Sequence, residues 1–322
     1  MKRSLFRALL LAVGAWALTS MAEDGANRRC PPPPQEPTAA QLQLAARQAR
    51  DHGALWRITR DGNSSYLFAT IHVGKLEWIM PGPQLRGALE ATDTIALEID
   101  LTDPQMVARM SAAGRRAAAP TLPGPLAARL ARRLDAACVP EQSRPAIDAM
   151  HPLLQALTLA VLEARWVGLE AGYAQELVLA GFGHAAKRRI VSLESPESQL
   201  AALMPRNAEE LHKTIAGALD QIDQGGARRS IVHLADAWSR GDLAELEQYE
   251  RWCECVLGDA DRQLLVRLLD ERNPLLAERI DALHREGRKV LAGVGAMHMT
   301  GAKGLPALLR ARGFVVERLA FH

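Results

Sequence analysis

Nine histidines are spread through the chain, but only His72 and His298 stand just beyond an expected apolar strand and next to glycine. Their settings, Thr70-Ile71-His72-Val73-Gly74 and Gly295-Ala296-Met297-His298-Met299-Thr300-Gly301, look like two copies of one strand-to-loop device. Neutral imidazole is a good ligand for a divalent cation. Two histidines plus one carboxylate would leave coordination positions open for water and substrate. Glu98, near the end of Thr94-Ile95-Ala96-Leu97-Glu98-Ile99-Asp100, and Glu194, closing Arg189-Ile190-Val191-Ser192-Leu193-Glu194, are the carboxylates that apolar strands would deliver to an edge. In α/β sheets, functional groups gather outside the carboxyl ends of strands. Each residue alone has a bland reading as a loop histidine or a helix-capping glutamate, whereas four at strand ends point to a site. The chemistry would be metal-assisted hydrolysis: a bound cation acidifies water and polarises a carbonyl, and a glutamate not committed to the cation takes the water proton.

The elements that must position these residues are readable in outline. Two β-type runs, 55–59 and 65–71, flank the turn-forming cluster Asp61-Gly62-Asn63-Ser64 and predict a hairpin. A helix follows Pro83, then comes the strand of Glu98. From 104 to about 188 the spacing is helical, with Leu153, Leu157, Ala160, Val161 and Ala164 expected on one stripe. After the strand of Glu194, helices resume. Asn207 stands three residues before Glu210 as a cap, and Gly225-Gly226 stops the face formed by Leu211, Ile215, Leu219 and Ile222. The strand 289–294 enters the glycine-rich turn of His298, a helix covers 305–309, and a final strand covers 314–319. The predicted fold is α/β, a central mixed β-sheet built from N- and C-terminal β/α portions with a large helical insertion between them. One domain spans 54–322, with 104–188 and 200–285 mainly helical. Whether the two ends share one sheet depends on long-range pairing that periodicity does not show.

Composition narrows the function classes. The chain has 322 residues, 48% hydrophobic and 24% charged, which excludes wholesale disorder. Thirty-nine basic residues against 37 acidic ones, a net charge of +2, give no footprint for nucleic acid. Residues 1–22 read as a signal peptide: Lys2, Arg3 and Arg7 precede an apolar run over 8–18, and Ser20-Met21-Ala22 offers a cleavage site. The mature chain is therefore expected to be periplasmic or secreted, with no membrane span after signal removal. Residues 23–53, including Cys30-Pro31-Pro32-Pro33-Pro34, are expected to be a Pro-rich flexible tether. Four cysteines in an exported chain predict structural disulfides. Cys253-Glu254-Cys255 is read as helical, which would point the two thiols apart toward distant partners such as Cys138 or Cys30. The pattern Gly293-x-Gly295-x-x-His298 is similar to a dinucleotide fingerprint, but histidine at the third position would crowd helix against strand. No Gly-x-Ser-x-Gly elbow, His-Glu-x-x-His helix or Walker loop is present.

The hairpin from Ser65 to Gly74, the strand Ala96-Leu97-Glu98-Ile99-Asp100, the segment Ser192-Leu193-Glu194-Ser195-Pro196-Glu197-Ser198-Gln199-Leu200, the pair Arg272-Asn273 and the ending from Gly293 to His298 and on to Gly313-Phe314 resemble the TraB/GumN family. The resemblance covers about 54–320. It implies kinship with the TIKI-type membrane-anchored metalloproteases, which use two Gly-x-x-His motifs with manganese or cobalt, and more distantly with erythromycin-esterase-like and haem-binding ChaN-like proteins. Carried onto this chain, His72 and His298 become the motif histidines, Glu98 joins them as a metal ligand or base, and Arg272 and Asn273 form the polar pair before the second motif. That pair would orient a carboxylate or donate to a developing oxyanion, or else simply form a turn before Pro274. The implied substrate is a peptide or another small molecule or polymer. The alternative is a non-catalytic periplasmic binding protein for haem, metal or a polysaccharide-related ligand. Ala69 departs from the family's first glycine, which matters if that position needs positive φ and is harmless if it is extended strand.

Overall fold

A computed structural model describes residues 30–32, 35–115, 120–256 and 258–321. The signal peptide expected over 1–22 lies outside the described residues. The sheet is built from β1 (Leu55–Arg60), β2 (Asn63–Thr70), β3 (Thr94–Leu97), β4 (Arg189–Ser192), β5 (Val290–Gly295) and β6 (Val315–Leu319). Its order is β4-β3-β5-β2-β1-β6, so both chain ends contribute to one α/β mixed sheet. Asp61 and Gly62, both at positive φ, form the tight turn between β1 and β2, and register begins at once with Arg60 opposite Asn63.

The pairing that matters for chemistry lies at the centre. β2 runs parallel to β5, with Ala69 opposite Val294 and Thr70 opposite Gly295. β5 runs parallel to β3, and β3 to β4, with Leu97 opposite both Gly293 and Ser192. Four neighbouring strands therefore end at the same edge, and the residues just beyond them are His72, His298, Glu98 and Glu194. The fully buried strands read as continuous apolar runs, as parallel strands covered on both faces should. Helix Gln175–Ala185 covers one face, and a Cβ at Gly293 would collide with its Leu179.

The helical insertion has a core of its own, in which Leu130, Leu134, Leu153, Leu159, Leu211, Ile215 and Leu219 meet. Helix Ala208–Asp223 buries the expected face, and the Asn207 side chain caps it by accepting from the Glu210 N–H at 2.9 Å. Helix Pro152–Leu162 differs from the expected stripe: Leu153, Gln155, Ala156 and Leu159 are buried, while Val161 is exposed. The α-helix gives way to 3₁₀ geometry at Glu163, which turns the chain before the 3.6-residue stripe reaches Ala164.

Two expectations outside the sheet change. Within the stretch read as a tether, Ala39–Arg47 is a helix with a Thr38/Gln41 capping box, and Cys30 is joined to Cys138. Proline clustering describes only the first part of that segment; the Ala- and Leu-containing part beyond it is free to form a helix. The second disulfide is Cys253–Cys255, a pairing opposite to the one expected. The preceding helix ends at Trp252 and Cys253 is extended, so the helical geometry that would separate the thiols is absent. Residues two apart then bring their Cα atoms to 5.1 Å.

Ala69 sits inside β2, 1% exposed, and is not among the residues at positive φ. Its N–H donates to Ala54 O and its carbonyl accepts from Trp238 Nε1 at 2.9 Å. The methyl group is therefore accommodated in an extended strand. Ala69→Gly should lower stability by about 1–2 kcal/mol, from added backbone freedom and a lost buried methyl, without improving any activity. Urea unfolding alongside an activity assay checks both halves.

Candidate functional site

The histidines of this protein separate by what their ring nitrogens do. His284 is structural: buried, with Nδ1 at 3.0 Å from Ser65 Oγ and Nε2 at 3.2 Å from Arg60 O, it uses both nitrogens to pin helix Asn273–Arg285 to the hairpin. His298 is buried too, but only Nδ1 is engaged, at 2.6 Å from Asn273 Oδ1. Asn273 donates its amide to Lys303 O at 2.9 Å, which leaves Oδ1 as the acceptor, so His298 Nδ1 carries the proton and Nε2 the lone pair. His72 repeats the arrangement: its Nδ1 lies 3.1 Å from Glu176 Oε1, a carboxylate that can only accept. Neither Nε2 has a hydrogen-bond partner among the described residues.

The loop of His72 is held by its surroundings. Gly74 and Glu170 exchange backbone hydrogen bonds of 2.9 and 2.8 Å, and a Cβ on Gly74 would run into the Tyr173 carbonyl. Gln175 N–H donates to Ile71 O at 3.0 Å, which fixes the start of helix Gln175–Ala185 beside His72.

Glu98 and Glu194 meet through Arg272. Arg272 Nε donates to Glu194 Oε1 at 3.0 Å, Nη2 bridges Glu194 Oε2 and Glu98 Oε2, the latter at 2.6 Å, and Nη1 donates to Leu268 O. Glu98 also accepts from Gly295 N–H at 2.8 Å and from Gln199 Nε2 at 3.0 Å. All six predicted residues thus stand on one edge. Arg272 and Asn273 act as orienting groups, Arg272 for the two carboxylates and Asn273 for His298. Four of the five Arg272 N–H groups are engaged in these bonds, which leaves one on Nη1.

The charges are tuned in different directions. Burial would raise the Glu98 pKa, but His298, His72, Arg272 and the Gly295 N–H outweigh it and hold the carboxyl at about 2. Burial, reinforced by the nearby cations Arg272 and His72, lowers His298 to about 4 against the pull of Glu98. The Glu176 carboxylate raises His72 to about 9. Seventy per cent of the His72 side chain is open to solvent, so water screens part of that attraction.

These shifts predict a stability maximum near pH 6.5 for metal-free protein. His298 binds protons in the unfolded chain before the folded one, so stability falls as pH drops from about 6.5 to 4, by about 3 kcal/mol. His72 contributes stability that is complete below about 6.5 and is lost as pH rises through 9. Thermal midpoints across pH 4–9 should show the dome, and His298→Gln should flatten its acid side.

Sequence reasoning missed Glu176, Gln199 and the Gly295 N–H. The available signal for Glu176 was a lone carboxylate opening the apolar run Leu177-Val178-Leu179-Ala180. A concavity of about 590 Å3 lies elsewhere, on the helical insertion near Arg228 and His233, but these are already paired with Glu163 and Glu245.

At this edge a divalent cation would be held by the two histidine nitrogens, with Glu98 available as a third ligand only once it leaves Arg272. Two imidazoles, each with Nδ1 tied to an oxygen and Nε2 without a protein partner among the described residues, have the outer-partner arrangement of metal-binding histidines. His298 is neutral at physiological pH, whereas His72, raised by Glu176, offers its Nε2 lone pair only on losing a proton. Among the described residues no group of three or more His, Cys, Asp or Glu side chains is arranged to hold a metal ion, and Glu98 and Glu194 are both bound to Arg272. A model of the TraB/PrgY/gumN family matches residues 54–318, across the sheet and every site residue. The chain belongs to the TraB/PrgY/gumN family. No match was found among curated proteins or solved structures.

Proposed function

We propose that this TraB/PrgY/gumN protein is an exported metal-dependent hydrolase with TIKI-like peptidase activity, acting on a peptide or another small-molecule or polymer substrate. The observation that carries the reading is the shared edge at which His72 and His298 each have Nδ1 engaged and Nε2 without a protein partner. A divalent cation, manganese or cobalt, would be held by these two nitrogens and would supply an acidified water and a polarised carbonyl. His298, neutral above about pH 4, keeps its lone pair available. Glu98 lies close enough to affect the pKa of both histidines. Held near 2 and hydrogen-bonded through both oxygens, it acts first as a fixed anion, becoming a ligand or base only on leaving Arg272. Export is supported by the expected signal peptide and by two disulfides, which suit an oxidising compartment. No helix among the described residues is long and apolar enough to cross a membrane.

The commitment of both glutamates to Arg272 favours a second reading, a periplasmic binding protein for haem, metal or a polysaccharide-related ligand. Elemental analysis of protein purified without chelator, with peptide hydrolysis measured alongside, separates the two. Bound manganese or cobalt with turnover that chelator abolishes supports the hydrolase. A retained ligand without turnover supports the binder.

A further inference from the structure

We propose that Glu176 is a positioning residue that holds His72 with Nε2 directed to the metal edge, an inference that rests on the metal-dependent reading above. Glu176 is 8% exposed and stands in the first turn of helix Gln175–Ala185, whose start is tied to Ile71 O. Its Oε1 accepts from Thr70 Oγ1 and from His72 Nδ1, the latter at 3.1 Å. Its Oε2 is buried without a hydrogen-bond partner among the described residues. A buried carboxylate with one oxygen unsatisfied is costly to desolvate, a cost that the His72 and Thr70 contacts offset and that an amide or an apolar side chain would not incur. What the carboxylate does that these cannot is hold the Nδ1–H of His72 with a full negative charge. The helix N-terminus offsets part of the cost of keeping that charge.

The same device occurs on the other histidine, where Asn273 Oδ1 holds His298 Nδ1 at 2.6 Å. The two differ in charge, and the difference matches burial. His298 is 4% exposed and is held by a neutral amide from a helix start. The His72 side chain is 70% exposed and has few packing contacts to fix its ring, so it takes the stronger, charged acceptor. An anion behind an imidazole also makes the opposite nitrogen a better donor. Glu176 therefore decides both the orientation and the donor strength of the exposed half of the site.

Cobalt titration of the purified chain, read by the visible absorption of the bound ion, tests this with wild type, Glu176→Gln, Thr70→Val and His72→Ala. Glu176→Gln preserves shape but removes the charge that faces His72, so its urea midpoint should fall modestly while it still folds, and cobalt affinity should fall about 10- to 100-fold with a shift of the absorption band. Thr70→Val, which removes the other hydrogen bond to the same carboxylate, should bind cobalt close to wild type. Cobalt binding by Glu176→Gln equal to wild type, with binding lost in His72→Ala, overturns the positioning role and leaves the metal reading intact. Wild-type protein that binds no cobalt overturns the metal reading and this inference with it. If Glu176→Gln does not fold, Glu176→Asp, which retracts the carboxylate from Nδ1 by one methylene, must show the same loss of affinity.

Discussion

Arg272→Ala should destabilise the folded protein by about 3–5 kcal/mol, the largest stability effect expected of any single substitution at the site. The side chains of Glu98 and Glu194 are 6% and 2% exposed, and Arg272 is the guanidinium that joins them. Removing it leaves two buried carboxylates side by side without the guanidinium they share, and the penalty for breaking a buried pair exceeds what the pair contributed. The backbone would suffer as well, since Arg272 Nη1 also satisfies Leu268 O where the chain passes from the π-helical turn Val266–Asp270 into helix Asn273–Arg285. Adding Glu98→Gln and Glu194→Gln to Arg272→Ala should restore much of the loss, because amides can be buried at lower cost. Urea unfolding of the single and triple variants is the measurement. A loss below about 1 kcal/mol in the single variant would mean that the carboxylates find other partners.

His298→Ala should abolish metal-dependent hydrolysis with little change in fold, exceeding the 10- to 100-fold cost typical of losing an outer partner. His298 is the histidine already neutral at physiological pH, so its Nε2 is available to a cation without prior loss of a proton. Asn273→Ala should fall within that 10- to 100-fold range, because it releases the ring without removing the donor. The comparison needs three readouts on each variant: cobalt or manganese content, peptide hydrolysis and thermal midpoint. Normal turnover by His298→Ala would place the chemistry elsewhere or leave the binding-protein reading as the better account.

Local rules explain what was readable before any coordinates. Asp61-Gly62 reads as a turn because the two residues tolerate positive φ, and Asn207 reads as a cap because its side chain needs only to reach the Glu210 N–H. Both act within a few residues of chain. The placement of His72, Glu98, Glu194 and His298 at strand ends was readable for the same reason: each is preceded by a short apolar run that must be buried. Local rules also misled where a backbone state was assumed. Reading Cys253-Glu254-Cys255 as helical separated two thiols that an extended Cys253 brings together.

The amino-acid sequence by itself determined which side chains stand at strand ends, that the fold is α/β with a helical insertion, and that the family pattern is present. Only the tertiary structure decided that those ends coincide. That depends on β2 pairing with β5 across more than two hundred residues, a contact that no periodicity encodes. It also decided that Arg272 closes over both glutamates, and that Glu176, a lone acid on an apolar helix, lies behind His72. A residue's partner is set by what burial brings next to it, and burial is settled by packing the whole sheet against its helices.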